Sequence, residues 1–229
     1  MRQHEGPATR HFTEMATVAF VDLAGFSAIT DVYGDEAAIW IIELFEELVS
    51  EALGSHAAPL KWIGDEAMLA FSSPELALEM LGRLLASCRS EPRLPLTRCG
   101  VSHGRVIRRS NDVFGSTVNV AARVTALAGP GQLLATQPIV DIARTKQIVT
   151  SEIGTIALRS VANEIPIFSL ELAPAPDPSW IDPVCKMHPP YRGFKLEPRD
   201  KPWFCSPSCA EAYNKSPKTY PMTTMLPMK

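Results

Sequence analysis

Long apolar runs are absent from this sequence of 229 residues. No stretch approaches the roughly 20 apolar residues that a membrane-spanning helix needs, so membrane insertion is not expected. The opening segment, residues 1–15, is polar and lacks the apolar core of a signal peptide, and we expect it to be a flexible lead. Together these absences predict a cytoplasmic protein.

Clusters of positive charge are also missing, because no run of Lys and Arg occurs. The formal net charge of −3 and the pI of about 6.0 provide no field that would attract a polyanion. A nucleic acid partner is therefore not expected. The 46% of hydrophobic and 21% of charged residues are typical of a globular chain with one core and room for a small second module.

Cysteine is sparse and unevenly distributed. The chain has five cysteines, an odd number, and Cys185, Cys205 and Cys209 lie close together near its end. In a reducing compartment such a group favours a metal site over a set of disulfide bonds. Cys88 and Cys99 fall within apolar patterns, so we expect them in the core.

A composition change divides the chain at residues 173–180, where APAPDPSW is typical of a linker. Before it, strand-like runs alternate with helical patterns, which indicates one domain of strands and helices over residues 16–172. After it, residues 181–221, here called the C-terminal segment, are too few to bury a core alone, so a metal would help to stabilise them. Residues 222–229 are expected to be a terminal extension.

Two helices are predicted from apolar residues that recur with helical spacing. The second helix begins with Ser73 as a suitable N-cap and with Pro74 at its first position. Both apolar faces should pack on the core: Ile41, Leu44, Phe45, Leu48 and Ala52 in the first helix, and Ala77, Leu81, Leu84, Leu85 and Cys88 in the second.

Two aspartates follow strand-like runs. Asp22 ends the first apolar run, and Asp65 lies in a tight hairpin, WIGDE, in which Gly64 supplies the turn. If that hairpin pairs with the first strand, the two carboxylates converge and require a divalent cation. Taken singly, a helix cap for Asp22 and a turn role for Asp65 are the simpler interpretations.

Asn119 and Arg123 lie four residues apart and therefore share one face of a predicted helix. Together they suit a sugar and a phosphate, because arginine offers a fixed fork of donors to phosphate oxygens. Asp112 precedes them in the same segment. A surface arginine with a polar neighbour is the alternative when the pair is considered alone.

These residues fall within three blocks, TVAFVDLAGFSAIT, LKWIGDEAMLAF and NDVFGSTVNVAARV, which resemble in order and spacing the signature blocks of the class III nucleotidyl cyclases. The resemblance covers residues 16–172, with GTIALRSVANEIPIFSLEL as the closing strand pair. It implies an α+β fold, namely a ferredoxin-like, palm-type α/β sandwich with a mostly antiparallel sheet flanked by helices, followed by a small Cys-containing C-terminal domain.

The resemblance also implies a metal site and a reaction. Asp22 and Asp65 match the family's metal-binding aspartates, with the backbone carbonyl of Leu23 as a further ligand. Two Mg²⁺ or Mn²⁺ ions per site would lower the pKa of the ribose 3′ hydroxyl and neutralise the triphosphate. The implied activity is that of an adenylate cyclase, which converts ATP to 3′,5′-cyclic AMP and pyrophosphate.

Four further positions match residues that hold the nucleotide. Lys61 can donate to adenine N1 while Asp112 accepts from the 6-amino group, a pattern that guanine reverses. Asn119 matches the residue that orients the ribose, and Arg123 matches the residue that stabilises charge in the transition state. Guanylate cyclases of the family typically carry Glu and a small residue in place of the Lys and Asp, so ATP is the expected substrate.

A homodimer is expected because Lys61 and Asp65 are four residues apart around one hairpin yet would serve opposite ends of one nucleotide. In the family, one protomer supplies the metal-binding pair and its partner supplies the other positions, which gives two equivalent sites. A catalytically silent, cyclase-like dimerisation scaffold that carries a metal-binding module is the alternative. A diguanylate cyclase is disfavoured because the residues that flank Gly64-Asp65-Glu66 do not fit that family's motif.

The C-terminal segment resembles the small YHS domain through DPVCKM at 182–187 and FCSPSC at 204–209. This resemblance implies binding of zinc, copper or iron through Cys185, Cys205 and Cys209, with His188 as a candidate fourth ligand. A solvated loop histidine and a cysteine cluster without metal are the alternatives. We expect this segment to regulate the cyclase according to metal or redox state.

Overall fold

We analysed a computed structural model of the chain. It describes residues 11–55, 59–159, 161, 163–189 and 201–223.

The described strands form one mixed sheet in the order β2-β3-β1-β4-β6-β8-β7, with β5 paired to β4. Neighbouring strands are antiparallel except for β4 and β6, which are parallel. The mostly antiparallel sheet that the sequence predicts is therefore confirmed. The strands are β1 (His11–Leu23), β2 (Lys61–Ile63), β3 (Glu66–Phe71), β4 (Thr97–Arg109), β5 (Asp112–Phe114), β6 (Leu133–Thr136), β7 (Thr150–Ile156) and β8 (Ile165–Leu170).

Helices cover both faces of this sheet. The main cluster of buried side chains lies on one face, where residues from α1, α2, α3 and α5 pack, and α4 packs on the other face. The helices are α1 (Phe26–Tyr33), α2 (Asp35–Leu53), α3 (Pro74–Ser90), α4 (Ser116–Leu127), α5 (Gln137–Thr145) and α6 (Pro207–Lys215).

The long strands β1 and β4 form the centre of the sheet and pair over their whole length, from His11 opposite Arg109 to Leu23 opposite Thr97. The predicted flexible lead is thus wrong for residues 11–15, which belong to β1. This segment is ordered because β4 extends as far as β1 and supplies backbone partners to the end of the ladder. Residues 1–10 lie outside the described part of the chain.

The two predicted helices are confirmed as α2 and α3. The Ser73 hydroxyl accepts from the Leu76 N–H as an N-cap, and Cys88 and Cys99 are both buried. The first helical stretch is broken into α1 and α2 at Gly34, which has a φ of 86°. Helix α5 was not predicted.

Helix α4 lies very close to β4, because two glycines of that strand face it. A Cβ atom on Gly100 would lie 2.2 Å from the Thr125 nitrogen, and one on Gly104 would lie 2.7 Å from the Thr117 hydroxyl. Larger residues at these two positions would push the helix off the sheet. The glycines therefore fix the position of the helix that carries Asn119 and Arg123.

The C-terminal segment packs against the large domain instead of forming a separate core. Val184, Cys185 and Cys209 belong to the main buried cluster of the protein. The sequence predicts that the segment has too few apolar residues for a core of its own, and the structure shows these residues buried on the sheet domain. Within the described residues, no helix is long and apolar enough to cross a membrane.

Candidate functional site

Three charged side chains lie side by side across the central strands. Asp22 on β1 is opposite Glu66 on β3 and opposite Arg98 on β4, so all three project from the same face of the sheet. Asp22 is 7% exposed, and Arg98 forms a salt bridge with its carboxylate. The arginine stabilises a carboxylate that would otherwise be buried without a counter-ion.

Asp65 lies next to this row, in the turn that joins β2 to β3. Gly64 has a φ of 64°, which is the left-handed conformation that the predicted turn requires. Partial burial and the nearby charge of Asp22 raise the pKa of Asp65 to about 6. Burial, and then the charges of Asp22 and Asp65, raise the pKa of Glu66 to about 7.

This arrangement is suited to a hard divalent cation. The donors are carboxylate oxygens, which Mg²⁺ prefers and Mn²⁺ accepts. The raised pKa values of Asp65 and Glu66 arise partly from mutual repulsion, which a cation would relieve. Asp22 and Asp65 could hold such an ion, and Leu23 follows Asp22 directly with its side chain buried in the core.

Lys61 and Asp112 are in direct contact. The Lys61 Nζ lies 2.6 Å from the Asp112 Oδ2, and it also lies 5.7 Å from the centre of the Phe114 ring. The other Asp112 oxygen accepts a hydrogen bond from the Val113 N–H at 2.8 Å. The pair thus presents a fixed donor next to a fixed acceptor, and both side chains remain partly exposed.

Asn119 and Arg123 project from α4 into solvent. No hydrogen bond or ion pair joins either of them to Asp22, Asp65, Lys61 or Asp112 within the part of the chain that the structure describes. A single chain therefore presents three groups: the carboxylates with Arg98, the Lys61–Asp112 pair, and the exposed polar face of α4.

Sequence reasoning missed Glu66 and Arg98 as members of the site. Both could have been found from the period of two in a strand, since Glu66 alternates with buried Ala67 and Arg98 with buried Cys99. What the sequence could not supply was the register that places both opposite Asp22.

Residues 9–171 match the family described as "Adenylate and Guanylate cyclase catalytic domain". The chain belongs to this family. The match begins close to the first described strand of the sheet and ends just after the last one. The C-terminal segment lies outside it, so its resemblance to the YHS domain stays a prediction.

Several relatives of known sequence are named adenylate cyclase. The chain is 35% identical over 133 residues to an adenylate cyclase of Streptomyces griseus. The matched region covers 58% of this chain and 32% of the relative. It is 30% identical over 156 residues to a pH-sensitive adenylate cyclase of Mycobacterium tuberculosis. That matched region covers 66% of this chain and 39% of the relative. The matched region thus spans less than half the length of these two proteins.

Solved cyclase structures share the fold. The adenylyl cyclase CyaB of P. aeruginosa has a TM-score of 0.63 at 19% identity, covering 70% of this chain and 95% of that one. An adenylate cyclase of Trypanosoma brucei, described in its monomeric state, has a TM-score of 0.63 at 20% identity, covering 83% of this chain and 95% of that one. At these identities the likeness concerns the fold of the cyclase domain.

A second group of potential ligands lies in the C-terminal segment. Ligand atoms of Asp182, Cys185, Cys205 and Cys209 all lie within 4.8 Å of one another. The Cys205 Sγ is 3.4 Å from the Cys185 Sγ and 3.8 Å from the Cys209 Sγ. Three sulfur atoms and one carboxylate at such spacing suit a tetrahedral zinc ion, and the thiolates also suit Cu(I).

The structure does not bring His188 into this group. Its Nδ1 lies 2.8 Å from the Pro189 carbonyl oxygen, and burial followed by the charge of Arg89 lowers the pKa of its ring to about 4. Asp182 takes the fourth place instead. It does so because the 182–187 loop folds back on itself, with the Lys186 N–H donating to the Asp182 carbonyl.

Proposed function

We propose that this protein is an adenylate cyclase that converts ATP to 3′,5′-cyclic AMP and pyrophosphate. The observation that carries the proposal is the Lys61–Asp112 pair, whose charged atoms lie 2.6 Å apart on the same domain as the carboxylates of Asp22 and Asp65. Family membership and relatives named adenylate cyclase give further support.

In the proposed reaction, the ribose 3′ oxygen attacks the α-phosphate. A bond forms from that oxygen to phosphorus, the bond from phosphorus to the β-phosphate bridging oxygen breaks, and the 3′ proton passes to solvent. Bound Mg²⁺ or Mn²⁺, two ions per site, would supply positive charge that lowers the pKa of the 3′ hydroxyl and offsets the charge of the triphosphate. Asp22 and Asp65 would hold these ions.

The remaining residues bind and orient ATP. Lys61 donates to adenine N1 and Asp112 accepts from the 6-amino group, so the base edge takes the place of the direct contact between the two side chains. Guanine offers the opposite pattern and would face both groups with mismatched partners. Asn119 positions the ribose, and the Arg123 guanidinium neutralises charge that develops on the phosphate oxygens.

The complete site would form between two protomers. One supplies the Asp22 and Asp65 carboxylates, and its partner supplies Lys61, Asp112, Asn119 and Arg123. Among the residues that the structure describes, no hydrogen bond joins Asp22 or Asp65 to any of the other four side chains, which supports this division. Closed two-fold symmetry then gives two equivalent sites.

Incubation of the purified protein with ATP and Mn²⁺ tests the activity by measuring cyclic AMP and pyrophosphate. We expect both products in equal amounts. Absence of product with every divalent metal would favour a silent dimerisation scaffold. Mixing inactive Asp65→Ala chains with inactive Arg123→Ala chains tests the shared site, because one intact site is regained in the heterodimer. A mixture that stays inactive contradicts it.

We further propose that the C-terminal segment is a YHS-like, metal-binding module that regulates the cyclase according to metal or redox state. The Asp182, Cys185, Cys205 and Cys209 cluster and its packing on the cyclase domain support this role. Cysteine-to-serine variants test it better than truncation does, because removal of the segment would uncover part of the main core. Equal activity with and without metal in every variant argues against regulation.

A further inference from the structure

Helix α1 of the cyclase domain contacts the C-terminal segment at both of its ends. At the start of the helix, a Cβ on Gly25 would lie 2.8 Å from the Lys186 Cγ and 3.1 Å from the Val184 carbonyl oxygen. At its end, Tyr33 reaches the cysteine cluster. The segment therefore holds the helix that begins at Phe26, four residues after Asp22.

The Tyr33 hydroxyl forms part of the surroundings of the sulfur atoms. It lies 3.1 Å from the Cys209 Sγ, 3.4 Å from the Cys205 Sγ and 2.6 Å from the Ser206 Oγ. The Ser206 Oγ also accepts from the Cys209 N–H at 3.2 Å, as the N-cap of α6. Tyr33, a residue of the cyclase domain, thus lies within hydrogen-bonding distance of two cysteines of the cluster.

The directions of these hydrogen bonds follow from the chemistry of a metal-bound thiolate, which has no proton to donate. The Tyr33 O–H then donates to the Cys209 Sγ, and the Ser206 O–H donates to the Tyr33 oxygen. Each hydroxyl keeps one donor and one acceptor role in this arrangement. A hydrogen bond of this kind orients a ligand and tunes its charge, as outer-shell partners of metal sites do.

Backbone hydrogen bonds connect the cysteine cluster with the strand ends that carry Asp22 and Arg98. The Ala24 N–H donates to the Leu96 carbonyl at 2.9 Å, and the Leu96 N–H donates to the Lys186 carbonyl at 3.1 Å. Ala24 is two residues from Asp22, and Lys186 follows Cys185 directly. Leu96 in turn lies two residues before Arg98, the partner of Asp22.

We propose that Tyr33 completes a zinc site made by Asp182, Cys185, Cys205 and Cys209, and that zinc bound there fixes α1 and the turn after Asp22 in the geometry that binds the triphosphate. The regulatory half of this proposal rests on the adenylate cyclase activity proposed above. On binding, the cysteine thiols lose their protons to solvent and zinc is neither oxidised nor reduced. Tyr33 acts as a positioning residue.

Zinc titration of the full-length protein against a chromophoric chelator tests the site without nucleotide. Tyr33→Phe should weaken zinc binding about 10- to 100-fold, and Cys205→Ser should weaken it at least as much. Tyr213→Phe is the matched control, because Tyr213 also lies in the segment's packing but contacts Phe204 with its ring. Wild-type zinc affinity in Tyr33→Phe overturns the proposal.

The coupling has a second readout that is independent of turnover. If zinc raises the affinity for a non-hydrolysable ATP analogue, the analogue must raise zinc affinity by the same factor, and we expect at least about fivefold. Tyr33→Phe should bring this factor close to one at saturating zinc, whereas Tyr213→Phe should preserve it. An unchanged factor in Tyr33→Phe overturns the link through α1. The titration without nucleotide still decides the role of Tyr33 if the chain makes no cyclic AMP.

Discussion

The Lys61 Nζ lies 2.6 Å from the Asp112 Oδ2, although 51 positions separate the two residues in the chain. They meet because β2 and β5 lie near the same apolar cluster, which includes Met68 from β3 and Val113 from β5. The register of the β2–β3 hairpin places Lys61 opposite Met68. The packing beneath the pair therefore holds its charged atoms close together.

Replacement of this pair should change nucleotide preference. Lys61→Met should lower kcat/KM for ATP about 10- to 100-fold, because a hydrogen bond to a charged group contributes about 1.5–3 kcal/mol. Lys61→Glu combined with Asp112→Cys should favour GTP over ATP, measured as the ratio of the two kcat/KM values. Arg83→Met is the control, since Arg83 forms an exposed ion pair of the same length with Glu79 on α3. A double variant that still prefers ATP would contradict the assigned roles.

Arg98 should matter most when no divalent cation is bound. Arg98→Gln removes the counter-ion of buried Asp22, and we expect the free energy of unfolding at pH 8 to fall by about 1–2 kcal/mol without metal. Saturating Mn²⁺ should recover most of this loss, because the cation replaces the missing positive charge. Thermal unfolding with and without Mn²⁺ measures both effects. Arg93→Gln, which breaks an exposed pair with Glu91, should have a smaller effect that Mn²⁺ does not alter.

The carboxyl groups of Asp65 and Glu66 should make the stability of the protein depend on pH. The folded state raises the pKa of Asp65 to about 6 and of Glu66 to about 7, above their ordinary values of 3.8 and 4.5. The folded state therefore binds these protons more tightly, and their stabilising contribution is lost as the pH rises from 3.8 to about 6 for Asp65 and from 4.5 to about 7 for Glu66. The Tm of metal-free protein should fall across this range more steeply in the wild type than in the Asp65→Asn, Glu66→Gln double variant.

Comparison with the double variant removes the contribution of other groups, such as His188. Its pKa is lowered from 6.5 to about 4, so its own contribution to stability rises with pH between these two values, opposite in sign to that of the carboxylates. Equal slopes in the two proteins would show that the carboxylates do not interact as the structure indicates.

The close approach of α4 to β4 predicts a strong effect of one methyl group. Gly100→Ala would place a Cβ 2.2 Å from the Thr125 nitrogen and should cost about 1–3 kcal/mol of stability. It should also lower kcat, because α4 carries Asn119 and Arg123. Gly82→Ala is the matched control, since nothing lies within 4 Å of its added Cβ and alanine is the better helix former. Chemical denaturation and cyclic AMP formation measure the two effects.

Local patterns predicted much of the fold. The N-cap at Ser73 and the turn at Gly64 follow from residue type and spacing, which act over a few positions. The break between α1 and α2 at Gly34 was not predicted, although it has local signals: Gly34 has a φ of 86°, and the acidic Asp35 and Glu36 open the next helix. The strand conformation of residues 11–15 depends instead on a distant partner, because β4 supplies their backbone hydrogen bonds.

The candidate sites show the same difference between features that the sequence indicates and features that depend on contacts between distant residues. The resemblance of three sequence blocks to the cyclase family pointed to Asp22 and Asp65, and the close spacing of three cysteines pointed to the second site. The roles of Arg98 and Tyr33 could not be inferred, because Arg98 reaches Asp22 only through strand register and Tyr33 reaches Cys209 across 176 positions of the chain. His188 was a reasonable candidate ligand by proximity in sequence, but the fold of the 182–187 loop brings Asp182 to the cluster.

The pairing of β1 with β4 has a consequence for folding during synthesis. The Asp22–Arg98 contact spans 76 positions, so at roughly 5–20 residues per second the ribosome needs several seconds to deliver β4 after β1. During that interval β1 can pair only with β3, and one edge of an apolar 13-residue strand stays open. We expect a chain that ends at residue 95 to aggregate, and chaperone binding to nascent chains to decline once residue 109 has left the exit tunnel.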